Sequence, residues 1–328
     1  MKRRVGIFAA VSAFAMVTAG GMCLAADVKV DTTLPSYKPV KGVSGTLKTA
    51  GSDTMNNVMA LWGEGFKKHY PNIKIEIEGK GSATAPPALI AGTVSFGTMS
   101  RDMKQDEKDA FEKKFGYKPT EVKTSIDMLA VFVHKDNPIE SLSMPQVDAI
   151  FSETRKAGYD KDLRTWGELG LKGDWADKTI SLYGRNAASG TYGFFKEHAL
   201  AKGDFKSSVK EQAGTSAVVQ AVASDESAIG YGGIGYKTAD VRAVSLAKKE
   251  GGKAIPAEAD YAYTGDYPMS RFLYLYVNLK PGTKLDPLKA EFLKYVLSKE
   301  GQEDVIKEGF YPLPAKLAAT ARKSAGLE

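Results

Sequence analysis

Four times along this chain a short strand pattern runs into a turn of glycine and small hydroxyl residues, and then into a helix. The turns are Gly51-Ser52-Asp53-Thr54-Met55, Gly79-Lys80-Gly81-Ser82-Ala83-Thr84, Gly97-Thr98-Met99-Ser100-Arg101 and, far downstream, Gly184-Arg185 leading to Ser189-Gly190-Thr191-Tyr192. Strands that alternate with helices in this way argue for a parallel sheet covered by helices. The first unit shows both periods. Gly45 to Ala50 alternates as a half-buried strand does, and Met55, Val58, Met59, Trp62 and Phe66 then recur at helical spacing until Tyr70-Pro71. A second strand, Ile73 to Ile77, leads to a helix opened by Pro86 and Pro87, which a first helical turn tolerates. A third, near Val94 to Phe96, precedes a charged helix that reaches Phe115.

Two unbroken apolar strands stand apart, Asp127 to His134 and Arg271 to Asn278. Between them lies a separate alternation of helices (Met144 to Phe151, Ser189 to Ala201, Ser216 to Ser224) and strands (Thr179 to Tyr183, near Ala228, Val241 to Leu246). Two more helices follow, Pro287 to Ser298 and Gly301 to Gly309. The expected architecture is two α/β lobes, the second inserted in the first and joined by two crossing strands. Lobe I takes 45–128 and 270–328, lobe II takes 129–269, and 27–44 reads as an extended leader. A length of 328 residues suits about two domains.

Lys2, Arg3 and Arg4 precede an apolar run to about Val17 and a small-residue stretch ending Cys23-Leu24-Ala25-Ala26. This is the pattern of a secretory signal peptide over 1–26, cleaved near Ala26, with an apolar run too short to span a bilayer. Cleavage removes the only cysteine and half of the net charge of +6. A lipidated Cys23 would want a small residue where Met22 stands. The remaining basic pairs, Lys67-Lys68, Lys113-Lys114 and Lys248-Lys249, lie among acids as solvated helix faces do, so no nucleic-acid partner is expected.

Each glycine-hydroxyl turn offers free backbone NH groups at a helix N-terminus and the favourable end of a helix dipole, which suit a small oxyanion. Ser and Thr are also good N-caps, and capping alone explains any single turn. Four turns at the carboxyl ends of strands in two lobes argue for a shared ligand. Arg185 strengthens that reading, because a guanidinium grips a tetrahedral anion bidentately. Arg101 either does the same or pairs with Asp102 or Asp53.

Enzyme readings fare poorly. Gly230-Tyr231-Gly232-Gly233-Ile234-Gly235 satisfies G-x-G-x-x-G, but no apolar-periodic helix follows, so it reads as a glycine-rich strand and turn. His69, His134 and His198 lack metal-ligand spacing. A nucleophile at Ser189 has no base in reach, since Glu197 and His198 point away from the N-terminus of their helix.

Taken in order, these turns, with Asp127-Met128-Leu129-Ala130-Val131, Asp136-Asn137-Pro138, Ala228-Ile229-Gly230-Tyr231, Pro268-Met269-Ser270-Arg271 and Ser298 to Gln302, resemble the periplasmic phosphate-binding proteins of the Pst type. The resemblance spans essentially the whole chain after the signal. It implies a two-lobed, hinged, type II periplasmic-binding-protein fold that binds inorganic phosphate and serves the permease of an ABC importer, as a periplasmic monomer without cofactor, metal or catalysis. It implies donors at Ser52, Asp53, Thr54, Ser82 and Ser100 in the first lobe, and at Arg185, Ser189, Gly190 and Thr191 in the second. Family members also set an aspartate against the proton of hydrogenphosphate, which sulfate lacks. That aspartate usually follows the serine, where this chain has Arg101, so the acceptor falls to Asp53, Asp102 or Asp127. Asp53 is favoured because it lies inside an anion-cradling turn. The rivals are a receptor of the same fold for sulfate, molybdate or an organic phosphate, and an exported phosphatase, which would need a nucleophile or metal site.

Overall fold

The computed structural model describes residues 28–327; the expected signal segment and Cys23 lie outside them. In the first lobe β1 (Thr46–Gly51), α1 (Asn56–Lys67), β2 (Lys74–Glu78), α2 (Ala85–Ala91), β3 (Phe96–Met99) and α3 (Gln105–Phe115) follow the expected alternation. β1 pairs in parallel with both β2 and β3. The apolar stripe of α1, namely Val58, Met59, Trp62 and Phe66, is fully buried, and each such side chain contributes about 1.5–3 kcal/mol of transfer free energy.

β4 (Thr120–His134) then runs through the whole molecule. The second lobe comprises β5 (Ser141–Ser143), α4 (Met144–Phe151), β6 (Ser181–Arg185), α5 (Gly190–His198), β7 (Lys210–Gln212), α6 (Thr215–Ala223), β8 (Ala228–Gly233), β9 (Val241–Ala243), β10 (Ser245–Ala247), β11 (Ala254–Ile255) and α7 (Ala259–Ala262). The chain returns through β12 (Ser270–Val277) and ends in α8 (Pro287–Val296), α9 (Lys299–Lys307) and α10 (Ala315–Ser324). The strand order is β2-β1-β3-β12-β4-β8-β6-β7, with β9 on β4, and a small sheet β11-β10-β5 stands apart.

β4 changes partner midway. From Thr120 to Met128 it pairs antiparallel with β12, and from Leu129 to Val133 with β8. At that exchange the Leu129 amide donates to the Met269 carbonyl and the Tyr267 hydroxyl to the Leu129 carbonyl. The two chain segments that cross between lobes are therefore bonded to each other along the β4–β12 ladder, and Leu129 extends that bonding by one residue beyond it.

One expectation needed revision, and two features were not foreseen. β4 begins at Thr120 rather than Asp127, because Glu121, Lys123 and Ser125 interrupt the apolar run while the pairing to β12 continues across a register shift at Thr124. α10 was not anticipated, since its buried residues are the small Ala318 and Ala321. The leader is extended but not loose. Leu34 and Tyr37 are buried, the Tyr37 amide and hydroxyl donate to Glu300 and Glu291, and Asp31 accepts the Ala315 amide. The glycine-rich stretch forms β8 and a short 3-10 turn, as its sequence suggested. No helix among the described residues is long and apolar enough to cross a membrane.

Candidate functional site

Gly51 and Gly81 set the first lobe's turns in backbone conformations with φ of 142° and 119°, which side chains disfavour. A Cβ on Gly51 would stand 2.0 Å from the Thr98 carbonyl, so only glycine lets β1 end against β3 and turn sharply into Ser52. Ser52, Thr54, Ser82 and Ser100 are buried together there. The Ser100 amide donates to Ser82 Oγ at 3.1 Å, and the two hydroxyl oxygens lie 3.4 Å apart.

The second lobe meets this cluster with the start of α5. Ser189 caps that helix, its Oγ accepting the Thr191 and Tyr192 amides at 3.1 and 3.3 Å. Gly190 faces the serines so closely that a Cβ on it would lie 2.2 Å from Ser82 Oγ and 2.7 Å from Ser100 Oγ. The Thr54 and Thr191 hydroxyls are 2.9 Å apart across the cleft, and the Ala83 amide donates to the Ala188 carbonyl at 3.1 Å.

Arg185 ends β6 and is 1% exposed. Its Nη1 donates to Thr215 Oγ1 at 2.7 Å, and Nη2 donates to the Ala213 carbonyl and lies 3.2 Å from Asp53 Oδ2. Burial pulls this guanidinium below its ordinary pKa, and the charge of Asp53 pulls it back. Two buried donors at the site, Arg185 Nε and Ser52 Oγ, have no hydrogen-bond partner among the described residues. Buried donors are rarely left so, and an oxyanion between the lobes would satisfy both.

The nominated aspartates occupy different places. Asp53 bonds to Arg185 and to the Thr215 amide. Asp127, fully buried, accepts Arg271 Nε and Nη2 at 2.9 and 2.7 Å and the Ile234 amide at 3.2 Å. Asp102 is exposed and lines a groove of 660 Å³ outside the cluster. Arg101 forms neither of its expected ion pairs. It makes a bidentate pair with Glu107 at 2.8 and 2.7 Å and touches only the carbonyl of Asp102. Glu107 also accepts the Lys104 amide at the start of α3, which places it one turn from Arg101.

Sequence reasoning missed Arg271, Thr215 and Tyr236 as parts of this site. Arg271 opens β12 opposite Asp127 and also donates to the Ser100 carbonyl and Thr191 Oγ1, so it ties both lobes. The available signal was a charge set at the head of an apolar strand, which must find a buried partner. Among the described residues no group of three or more His, Cys, Asp or Glu side chains could hold a metal ion.

Two lobes, a shared strand and a donor-lined cleft define a periplasmic-binding-protein fold, and the PBP superfamily domain model matches residues 38–300. Within that superfamily the chain belongs to the PstS family. It is 55% identical to phosphate-binding protein PstS of Pseudomonas aeruginosa over 96% of this chain and 98% of that one. The PstS of Staphylococcus saprophyticus is 31% identical over 83% of this chain and 82% of its own. A solved structure from Clostridium perfringens with bound phosphate superposes with a TM-score of 0.69 at 26% identity, covering 82% of this chain and 99% of that one. An ABC-type phosphate transport receptor from Vibrio cholerae shares the fold, with a TM-score of 0.62 at 19% identity over 81% of this chain and 100% of its own.

Proposed function

We propose that the protein captures inorganic phosphate between its lobes and delivers it to the membrane subunits of an ABC-type importer, acting as an exported, monomeric receptor that leaves its ligand covalently unchanged. The observation that carries this reading is the buried guanidinium of Arg185 at a helix-lined cleft, whose Nε, like the buried Ser52 Oγ of the other lobe, has no hydrogen-bond partner among the described residues. Those donors, with Thr54, Ser82, Ser100, Gly190 and Thr191, match what a tetrahedral oxyanion accepts. The choice of phosphate among oxyanions is supported by the 55% identity to a phosphate-binding relative and by the phosphate in the C. perfringens structure. Asp53 and Asp127 are the carboxylates near enough to the donors to take the proton that distinguishes hydrogenphosphate from sulfate.

Binding closes residues 129–269 onto 45–128 and 270–328 about the Leu129–Met269 junction, and the permease recognises the closed form. Protein purified without added ligand is expected to carry one equivalent of phosphate. Arg185→Ala should weaken phosphate binding more than tenfold, about 1.4 kcal/mol or more. Calorimetry that finds unchanged affinity would overturn the assignment.

A further inference from the structure

Asp53 sits in the first lobe, yet its side-chain bonds are all made to the second. Oδ2 accepts the amide of Thr215, the first residue of α6, at 3.0 Å and lies 3.2 Å from Arg185 Nη2. A carboxylate at that helix end also meets the favourable end of the dipole. The main chain of the same turn is gripped from the same side, because the Tyr236 hydroxyl donates to the carbonyls of Asp53 and Thr54 at 3.1 and 3.3 Å. Arg185 reaches back to Thr215 Oγ1, so one carboxylate joins the guanidinium, the start of α6 and the first lobe's ligand turn into a single cluster.

We propose that Asp53 is a cross-cleft latch, a positioning residue that holds the lobes together and in doing so fixes which Arg185 nitrogen faces the anion. The inference rests on the phosphate reading above. Its geometry is specific: Nη1 donates to Thr215, Nη2 donates to Ala213 and lies beside Asp53, and Nε is the guanidinium nitrogen with no partner among the described residues. Acting on a ligand proton would require no bond to α6. The Asp53 hydrogen bonds to Thr215 and its ion pair with Arg185 instead part when the lobes separate, so losing the residue speeds release far more than it slows capture.

The test uses full-length protein with Cys23→Ser and spin labels at exposed Lys67→Cys in the first lobe and Lys172→Cys in the second. In Asp53→Ala, phosphate should dissociate at least tenfold faster with association changed less than twofold, and the inter-lobe distance should lengthen both with saturating phosphate and without it. Asp53→Asn retains an acceptor for the Thr215 amide and should fall between. In an Arg185→Lys background, adding Asp53→Asn should change dissociation less than twofold, which a merely structural role would not produce. Unchanged distances overturn the latch. If dissociation is also unchanged the residue does nothing at the cleft, and if dissociation is faster it acts on the ligand alone. A wild-type protein indifferent to phosphate overturns the phosphate reading instead, and the phosphate-free distances of wild type and Asp53→Ala still decide the latch.

Discussion

Gly190 is the first residue of α5, with no positive φ, and alanine would ordinarily strengthen a helix there. A methyl group at that position would instead meet Ser82 Oγ and Ser100 Oγ from the other lobe. Gly190→Ala should therefore keep stability within about 1 kcal/mol of wild type while weakening phosphate binding at least tenfold by blocking closure, measured by urea unfolding and calorimetry on one preparation. A loss of stability with intact binding would show that the helix start, not the cleft, needs the glycine. Residues like this one were legible in sequence, because hydroxyls, glycines and Arg185 sit in short turns that announce their geometry. The partners of charges were not. Asp127 and Arg271 face each other only once β4 and β12 pair, and Arg101, beside Asp102 in sequence, turns to Glu107 because α3 brings that carboxylate one turn away.

At the scale of elements, Gln302 shows how the carboxyl-terminal helices are fastened beneath the site. Fully buried in α9, its Nε2 donates to the Thr124 carbonyl of β4 and the Val296 carbonyl of α8, and its Oε1 accepts the Leu313 amide on the way to α10. Gln302→Leu strands three buried backbone groups, each costing about 1–3 kcal/mol when unpaired. The expected outcome is a loss of about 3 kcal/mol or more in urea unfolding, with phosphate affinity within twofold of wild type, since none of these groups touches the cleft. A loss below 1 kcal/mol would mean that water replaces the amide. Elements whose burial follows large apolar residues, such as α1 and the Leu129 to Val133 stretch of β4, were visible beforehand. β4 from Thr120 to Ile126, α10 and the leader's packing depend on small or polar residues whose partners come from distant segments, so local periodicity carries little of them.

The whole molecule is organised around a strand that belongs to both lobes. β4 stands in the middle of the strand order, and one continuous core joins Trp62 and Phe292 of the first lobe to Val131, Phe195 and Tyr231 of the second. Two long apolar strands far apart in the chain were readable as elements, but their pairing with each other, the sheet order and the close meeting of the lobes were not, because all are settled by pairing across more than a hundred residues. Two-lobed proteins commonly unfold in separate steps. Here neither lobe can lose its structure without exposing half of β4 and a share of the common core, so calorimetry should show one cooperative transition. Phosphate at about a hundred times its dissociation constant should raise the unfolding free energy by about 2.7 kcal/mol and move that transition as a unit. Two transitions, of which only one responds to phosphate, would show that β4 is a tether between independently stable lobes and that closure, not the shared strand, couples them.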